Sequence, residues 1–335
     1  MGAMCQSSSF RSSARCAALL AAAFLLSSLG CRTIPPAPSM AEVQAPPMDY
    51  SELMRLCREY ASIRYGTAQQ ARADWADYYG RLEVVEIAAT RNRYLIGWSR
   101  DGLLQEVVIR GTTNLKNALY DVRFRRHWNP ELGLYLHAGF EAMALALYRD
   151  LLPRLDPQGE LVLFGHSLGA AEAVILGMLL ERDGYRVRRV YATGQPKVTD
   201  QAGAAKYREL PVIRVVNEND PVPLLPPSSM DEPGSTYVHL GGEYVLLDGP
   251  YFSYLAGEYA NDSAAIAFWN NLRQQKLRDE LREHGILSYL ARLAPKLQQA
   301  IQVPFLERER FIAPRGAIAP HQRLARFRPA LSPRS

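Results

Sequence analysis

Apolar residues along the chain follow two different spacings. Alternating or wholly apolar runs predict strands at residues 82–88, 93–99, 104–109, 161–164, 187–192, 212–216 and 237–247. Apolar residues three and four positions apart predict helices over 51–65, 139–155, 170–180 and most of 261–297. Buried apolar strands that alternate with helices are typical of a mostly parallel sheet flanked by helices. The pattern therefore predicts an α/β fold.

The first thirty residues have the layout of a bacterial export signal. Two arginines precede a ten-residue apolar run, and small residues then lead to Cys31. Residues 27–31 resemble a lipobox, in which the cysteine after the cleavage site receives a lipid. We therefore interpret residues 1–30 as a signal peptide and Cys31 as a lipidation site; the alternative is an ordinary cleaved signal with an incidental cysteine. No apolar run reaches the roughly 18 residues that span a bilayer, so no permanent transmembrane helix is expected.

Composition and charge divide the rest of the chain. The chain has 335 residues, of which 48% are hydrophobic and 22% charged, which is ordinary for a folded domain. Residues 31–49 predict an extended proline-rich tether, residues 50–300 the folded domain, and residues 301–335 a basic tail rich in proline and arginine. We interpret this tail as a solvated, disordered end; the alternative is that it contacts an anionic surface.

The segment Gly165-His166-Ser167-Leu168-Gly169 has the G-x-S-x-G pattern of a nucleophile elbow. In that motif a tight strand-to-helix turn strains the backbone of the serine and presents its hydroxyl above the sheet. Here an apolar strand runs directly into the motif, and a helix of small residues follows. This context predicts that Ser167 is a nucleophile; the alternative is a serine at a helix N-cap. His166 points away from its neighbour in such a turn, and we interpret it as structural.

These motifs resemble those of the class-three lipases, the fungal-lipase-like branch of the α/β-hydrolases. Segments in the order and spacing of that family are Ile109-Arg110-Gly111-Thr112, His137-Ala138-Gly139-Phe140, the elbow motif, Gly194-Gln195-Pro196, residues 216–223 and Tyr237-Val238-His239. The resemblance implies an α/β-hydrolase fold with its nucleophile elbow at Ser167 and a Ser-Asp-His triad. It also implies that Arg110 and His137 brace loops rather than take part in the chemistry.

The chain order Ser, Asp, His of this fold points to Asp220 as the acid and to a later histidine as the base. Asp220 follows a predicted apolar strand, so its carboxylate is expected at the C-terminal edge of the sheet; the alternative is a turn-forming aspartate before proline. Outside the tail, the histidines after Asp220 are His239 and His284. We assign His284, which, with Tyr289 five residues on, resembles the late histidine motif of the family, and Gly285 interrupts the helical pattern there. The alternative is that His284 is a solvated helix end.

Two backbone amides are needed to stabilise the negative charge that develops on the substrate oxygen. The elbow assigns one of them to Leu168, and the family resemblance assigns the other to Thr112. Residues 113–121 come where fungal relatives carry a helical lid, but Ala118 stands where the family often has tryptophan. A mobile lid and a plain surface helix both stay open for this segment.

The predicted activity is carboxylic ester hydrolysis by a lipase that acts on acylglycerol or phospholipid esters through an acyl-enzyme. Two other functions stay open, namely a catalytically inactive lipoprotein that binds lipid or a partner, and an acyltransferase. The chemistry needs no cofactor and no metal, and neither nucleic acid nor an obligate protein partner is expected. With a lipid on Cys31 the protein is expected at the bacterial outer membrane, and otherwise in the periplasm or outside the cell.

Overall fold

The computed structural model describes residues 43–111, 125–226, 236–257 and 282–312. From Gln44 onward these residues belong to one unit, and Met1–Val43 form a second unit of which only Val43 is described. The predicted signal peptide, Cys31, Thr112, the segment 113–121 and the end of the tail lie outside the described residues. Within the described ranges, every helix is too short or too polar to span a bilayer.

A central sheet runs through the described part of the chain. Its strands are β1 Arg81–Ile87, β2 Asn92–Trp98, β3 Leu104–Ile109, β6 Glu160–His166, β7 Arg186–Thr193, β9 Val212–Asn217, β11 Gly242–Leu246, β12 Tyr251–Leu255 and β13 Ile301–Gln302. They lie side by side in that order. The strands from β3 to β11 are parallel to one another, whereas β1, β2 and β12 join through antiparallel pairs. The prediction of a mostly parallel sheet is therefore confirmed.

Helices cover both faces of this sheet. They are α1 Tyr50–Tyr65, α2 Ala68–Trp75, α3 Ala138–Leu151, α4 Leu168–Arg182, α5 Gln201–Lys206 and α6 Ile286–Leu293. Successive residues of a strand point to opposite faces, so Val107 and Ile109 pack with α3 and α4 while Val108 packs with α1 and α6. Full burial of such a side chain contributes about 1.5–3 kcal/mol, which explains why the central strands are apolar on both sides.

A second, smaller sheet was not predicted from the sequence. Its strands are β4 Arg126–Asn129, β5 Leu134–His137, β8 Thr199–Asp200 and β10 Tyr237–Val238, ordered β10–β8–β5–β4 with antiparallel neighbours. Strands this short offer too little alternation to be recognised in a sequence. For the same reason the predicted strand 237–247 is two strands, separated by Gly241 with a φ of +74°.

Both predicted ends of the folded domain need correction. Ala45 is buried and its amide donates to Gln302 Oε1 over 2.9 Å, so folded contacts begin inside the predicted tether. At the other end, β13 pairs with β12, and the ring of Phe311 packs on Tyr251 with centroids 4.5 Å apart. The arginine content of this stretch suggested a disordered tail, but tertiary contacts place the chain on the domain to at least residue 312.

Candidate active site

Ser167 lies in the sharp turn between β6 and α4. Its φ of 60° and ψ of −125° are strained for a residue with a side chain. The turn is held to the neighbouring strand by a hydrogen bond of 2.8 Å from the Ser167 amide to the carbonyl oxygen of Thr193. This backbone is the nucleophile elbow that the motif predicted.

Close packing requires the two glycines that flank the turn. A Cβ on Gly165 would lie 2.1 Å from the carbonyl oxygen of Gly169, and a Cβ on Gly169 would lie 2.4 Å from the carbonyl oxygen of Ile109. Both distances are far below van der Waals contact, so any other residue would push the start of α4 away from β3 and β6. The glycines therefore let the helix begin directly above the carboxyl ends of these strands.

Asp220 and His284 form a buried pair. Asp220 follows β9, and its two carboxylate oxygens lie 3.0 and 2.8 Å from His284 Nδ1. A carboxylate only accepts hydrogen bonds, so Nδ1 carries the proton and the lone pair of the neutral ring is on Nε2. The histidine side chain is 3% exposed and the aspartate side chain 0%, which strengthens the electrostatic interaction between them.

Two further contacts position this pair. The Tyr289 hydroxyl donates to Asp220 Oδ2 over 2.5 Å. Asn217, at the end of β9, donates to the carbonyl oxygen of Glu283, the residue before His284, over 2.8 Å. Burial, and after it the charge of Asp220, raises the pKa of Tyr289 well above its usual value, so the phenol stays a donor. The sequence motifs include Tyr289 and Asn217 but do not indicate these positioning contacts.

His166 lies against the ring of His284. The two rings stack with centroids 4.8 Å apart, and Tyr289 contacts His166 edge-on at 5.2 Å. Nδ1 of His166 lies 3.1 Å from the Thr193 hydroxyl. Burial, and after it the neighbouring His284, lowers the pKa of His166 far below its usual value, so this ring stays neutral. Because residue 166 directly precedes Ser167, the stack also brings His284 to the elbow.

At the elbow and the Asp220–His284 pair, two buried polar atoms have no hydrogen-bond partner among the described residues. They are Ser167 Oγ and His284 Nε2. Buried polar atoms are normally paired, and each exception calls for an explanation such as a catalytic role. An imidazole acceptor and an alcohol are the groups of a general base and its nucleophile, and the bond between such groups often forms only when substrate is bound.

Of the two predicted oxyanion donors, Leu168 lies within the described residues and Thr112 does not. Leu168 is the first residue of α4, where a backbone amide has no acceptor inside the helix and the helix dipole favours negative charge. Thr112 lies outside the described residues, three positions after the end of β3. The structure therefore places one of the two predicted amides at the elbow.

His239, the other candidate base, supports the loop that carries the acid. Its Nε2 lies 2.8 Å from the carbonyl oxygen of Pro223, three residues after Asp220. The ammonium group of Lys197 donates to two further carbonyl oxygens of this loop, at 3.3 and 3.2 Å. Burial lowers the pKa of Lys197 to about 8. His284 thus bonds the acid directly, and His239 and Lys197 hold its loop.

Other polar residues near the elbow make loop contacts. Arg110 donates to the carbonyl oxygen of Arg91 over 2.7 Å, and His137 caps α3 by accepting from the amide of Phe140. Burial lowers the pKa of His137 to about 4. In the part of the chain that the structure describes, no cluster of three or more histidine, cysteine or acidic side chains could hold a metal ion.

Known proteins resemble the central part of this chain. Residues 106–230 match the family model of lipase (class 3). The chain is 35% identical over 148 residues to the secreted mono- and diacylglycerol lipase A of Penicillium cyclopium, covering 41% of this chain and 46% of that protein. It is 31% identical over 155 residues to the lipase of Rhizomucor miehei, covering 42% and 41% respectively. The chain thus spans less than half the length of these relatives.

Solved structures share the fold. The Lip2 lipase of Yarrowia lipolytica aligns with a TM-score of 0.52 at 19% identity, covering 69% of this chain and 91% of that one. The triacylglyceride lipase of Rhizomucor miehei aligns with a TM-score of 0.50 at 22% identity, covering 61% and 82%. This chain therefore has the α/β-hydrolase fold, as predicted.

Proposed function

We propose that this chain is a class 3 lipase, a serine hydrolase that cleaves carboxylic esters of acylglycerols or phospholipids through an acyl-enzyme. The observation that carries the proposal is the buried Asp220–His284 pair, whose imidazole stacks on His166, the residue directly before Ser167 in its elbow. An alcohol, an imidazole and a carboxylate in this order are the groups that acyl transfer requires. The names of the matching relatives, lipase and mono- and diacylglycerol lipase, support the same substrate class.

In the proposed reaction, Ser167 Oγ attacks the ester carbonyl carbon while His284 Nε2 takes its proton. Asp220 keeps the other proton on Nδ1 and stabilises the imidazolium that forms. The amide of Leu168, with Thr112 as the proposed second donor, binds the oxyanion, and each such donor typically contributes about 10²–10³ in rate. His284 then protonates the leaving alcohol, and water activated by the same nitrogen releases the fatty acid.

Labelling with a fluorophosphonate probe tests this proposal. The probe bonds only to an activated serine, so we expect labelling of the full chain and none of the Ser167→Ala variant. Release of fatty acid from triacylglycerol, diacylglycerol, phospholipid and p-nitrophenyl esters then defines the substrate. A folded chain that refuses the probe and releases no fatty acid would favour a lipid- or partner-binding protein. Acyl transfer to an added alcohol in preference to water would favour an acyltransferase.

Gly194→Ala is expected to disturb the triad. Gly194 has a φ of +57°, and a Cβ there would lie 2.9 Å from Asp220 Oδ2, 3.0 Å from the Tyr289 hydroxyl and 3.1 Å from His284 Cε1. We expect kcat on a soluble ester to fall about 10²-fold, because displacements of about 1 Å in an active site have that effect. The left-handed backbone should also lower the free energy of unfolding by about 1–2 kcal/mol, measured by denaturant titration.

Gly184→Ala is the matched control for this variant. Gly184 also has a positive φ, +84°, but a Cβ there meets nothing within 4 Å. Gly184→Ala should therefore lower the free energy of unfolding by the same 1–2 kcal/mol, roughly, because of the left-handed backbone, and keep the kcat of the wild type. A Gly194→Ala enzyme with wild-type kcat would contradict the role of this close packing in positioning the triad.

We also propose that the protein is an exported lipoprotein anchored through Cys31, with the outer membrane as its destination. The support is the apolar run that ends in Gly30-Cys31 and the following Arg32, which resembles the outer-membrane default of Gram-negative lipoproteins. In a Gram-negative host, Cys31→Ala should lose the label from radioactive palmitate and move to the soluble fraction. Cys57→Ala is the control, because Cys57 is buried in the domain and should leave the label unchanged. Equal labelling of wild type and Cys31→Ala would count against the anchor.

A further inference from the structure

The hairpin of β4 and β5 carries two exposed aromatic side chains. Trp128 and Tyr135 are directly opposite each other in the register, and their rings meet edge to face with centroids 5.1 Å apart. They are 49% and 41% exposed. Strand alternation puts Leu134 and Leu136 on the other side, inside the core. The outer side of such a hairpin is usually polar, so two aromatic rings there call for an explanation.

Positive charge accompanies these rings. The Arg126 guanidinium lies 4.9 Å from the centre of the Tyr135 ring, and the neighbouring Arg125 is exposed. Arg126 also donates a hydrogen bond of 3.5 Å to the carboxylate of the mostly buried Asp200. We call Trp128, Tyr135, Arg125 and Arg126 the aromatic–basic face.

The hairpin is joined to the proposed site through the strand β8. β5 pairs with β8 through Leu136 and Thr199. Thr199 comes five residues after Gly194, whose backbone abuts Asp220 and His284. Five residues reach at most about 18 Å, so Thr199, which pairs with the hairpin strand β5, lies within that distance of Gly194.

We propose that the aromatic–basic face binds the headgroup region of an anionic phospholipid bilayer. Tryptophan and tyrosine favour that region because their rings enter the apolar boundary while N–H and O–H groups stay hydrated, and arginine pairs with lipid phosphate. Two rings and two guanidinium groups are too few for a stable protein interface, which needs about 800 Å² on each partner. Each arginine near an anionic membrane, by contrast, raises the affinity about fivefold. The proposal rests on the proposed function in that the face would bring the ester-cleaving site to its lipid.

Quenching of tryptophan fluorescence by brominated phospholipid tests this binding. Trp75 and Trp98 are buried, Trp128 is the exposed tryptophan of the described residues, and Trp269, which lies outside them, is replaced by phenylalanine in every chain of this test. The full-length chain with Ser167→Ala, which prevents hydrolysis, is mixed with brominated phosphatidylcholine vesicles with and without phosphatidylglycerol. We expect strong quenching by the anionic vesicles and weak quenching by the zwitterionic ones. Trp128→Phe, which keeps an apolar ring but removes the reporter, should lose the quenched component.

Sedimentation with the same vesicles separates the parts of the face. Trp128→Ser combined with Tyr135→Ser should weaken binding to the anionic vesicles on the order of tenfold, because apolar area no longer enters the interface. Arg126→Gln should weaken it about fivefold. The matched control is Arg64→Gln with Tyr65→Ser, an exposed tyrosine with an arginine 5.9 Å from its ring at the end of α1. This control should bind like the wild type.

Unchanged binding of the Trp128 and Tyr135 variant, or equal binding to both vesicle types, would overturn the proposal. A lower melting temperature of this double variant with wild-type binding would also overturn it. That result would mean that Trp128 and Tyr135 form a cross-strand contact that only stabilises the hairpin. Should the double variant not fold, Trp128→Phe quenching and Arg126→Gln binding decide the question. Hydrolysis is measured on chains that keep Ser167, so intact vesicle binding without any hydrolysis contradicts the proposed function alone.

Discussion

Ser167→Ala is expected to lower kcat for ester hydrolysis by about 10⁶, because loss of the nucleophile removes the covalent path and leaves the other triad residues without a partner. The structural basis is the position of the serine in the strained turn between β6 and α4, with a buried hydroxyl and with His284 stacked on the preceding residue, His166. Fatty-acid release from a soluble ester at saturating substrate measures kcat for the wild type and for the variant.

Folding of the alanine variant is the necessary control. Ser167 Oγ has no hydrogen-bond partner among the described residues, so its removal leaves no donor or acceptor unsatisfied. The free energy of unfolding should therefore stay within about 1 kcal/mol of the wild type. A folded variant that keeps turnover within about tenfold of wild type would remove Ser167 from the mechanism.

The second large effect is expected from His284→Ala, with a loss of kcat close to that of Ser167→Ala, about 10⁶. His284 is the histidine that bonds Asp220, and the lone pair on its Nε2 is the proposed base for Ser167. The comparison variant is His239→Ala, which we expect to keep a measurable fraction of activity, because Nε2 of His239 bonds a loop carbonyl.

Stability measurements separate the two roles of these histidines. His239→Ala leaves the carbonyl oxygen of Pro223 without that partner, at a cost of about 1–3 kcal/mol in the free energy of unfolding. The activity that His239→Ala keeps should rise with the folded fraction of the variant as temperature is lowered, whereas that of His284→Ala should stay lost. The opposite ranking of the two variants would transfer the role of base to His239.

Local physics made part of this protein predictable from its sequence. Apolar or alternating runs indicated the strands of the central sheet except β12 and β13, because a strand buried on both faces is apolar along its length. The elbow followed from glycines at two fixed positions between an apolar strand and a helix of small residues. In the structure, these glycines permit contacts that no other residue would allow. Chain order, with His321 set aside as part of the tail, reduced the candidates for the base to two histidines.

Tertiary structure decided everything that depends on residues far apart in the chain. His284 meets Asp220 across 64 positions, and Tyr289 reaches the same carboxylate from α6. The support that Lys197 and His239 give to the acid loop likewise has no local signal, because a buried lysine and a surface lysine look the same in a sequence. Hydrophobic periodicity reports which face of an element is buried, but only the packing of these elements determines which polar groups meet at their ends.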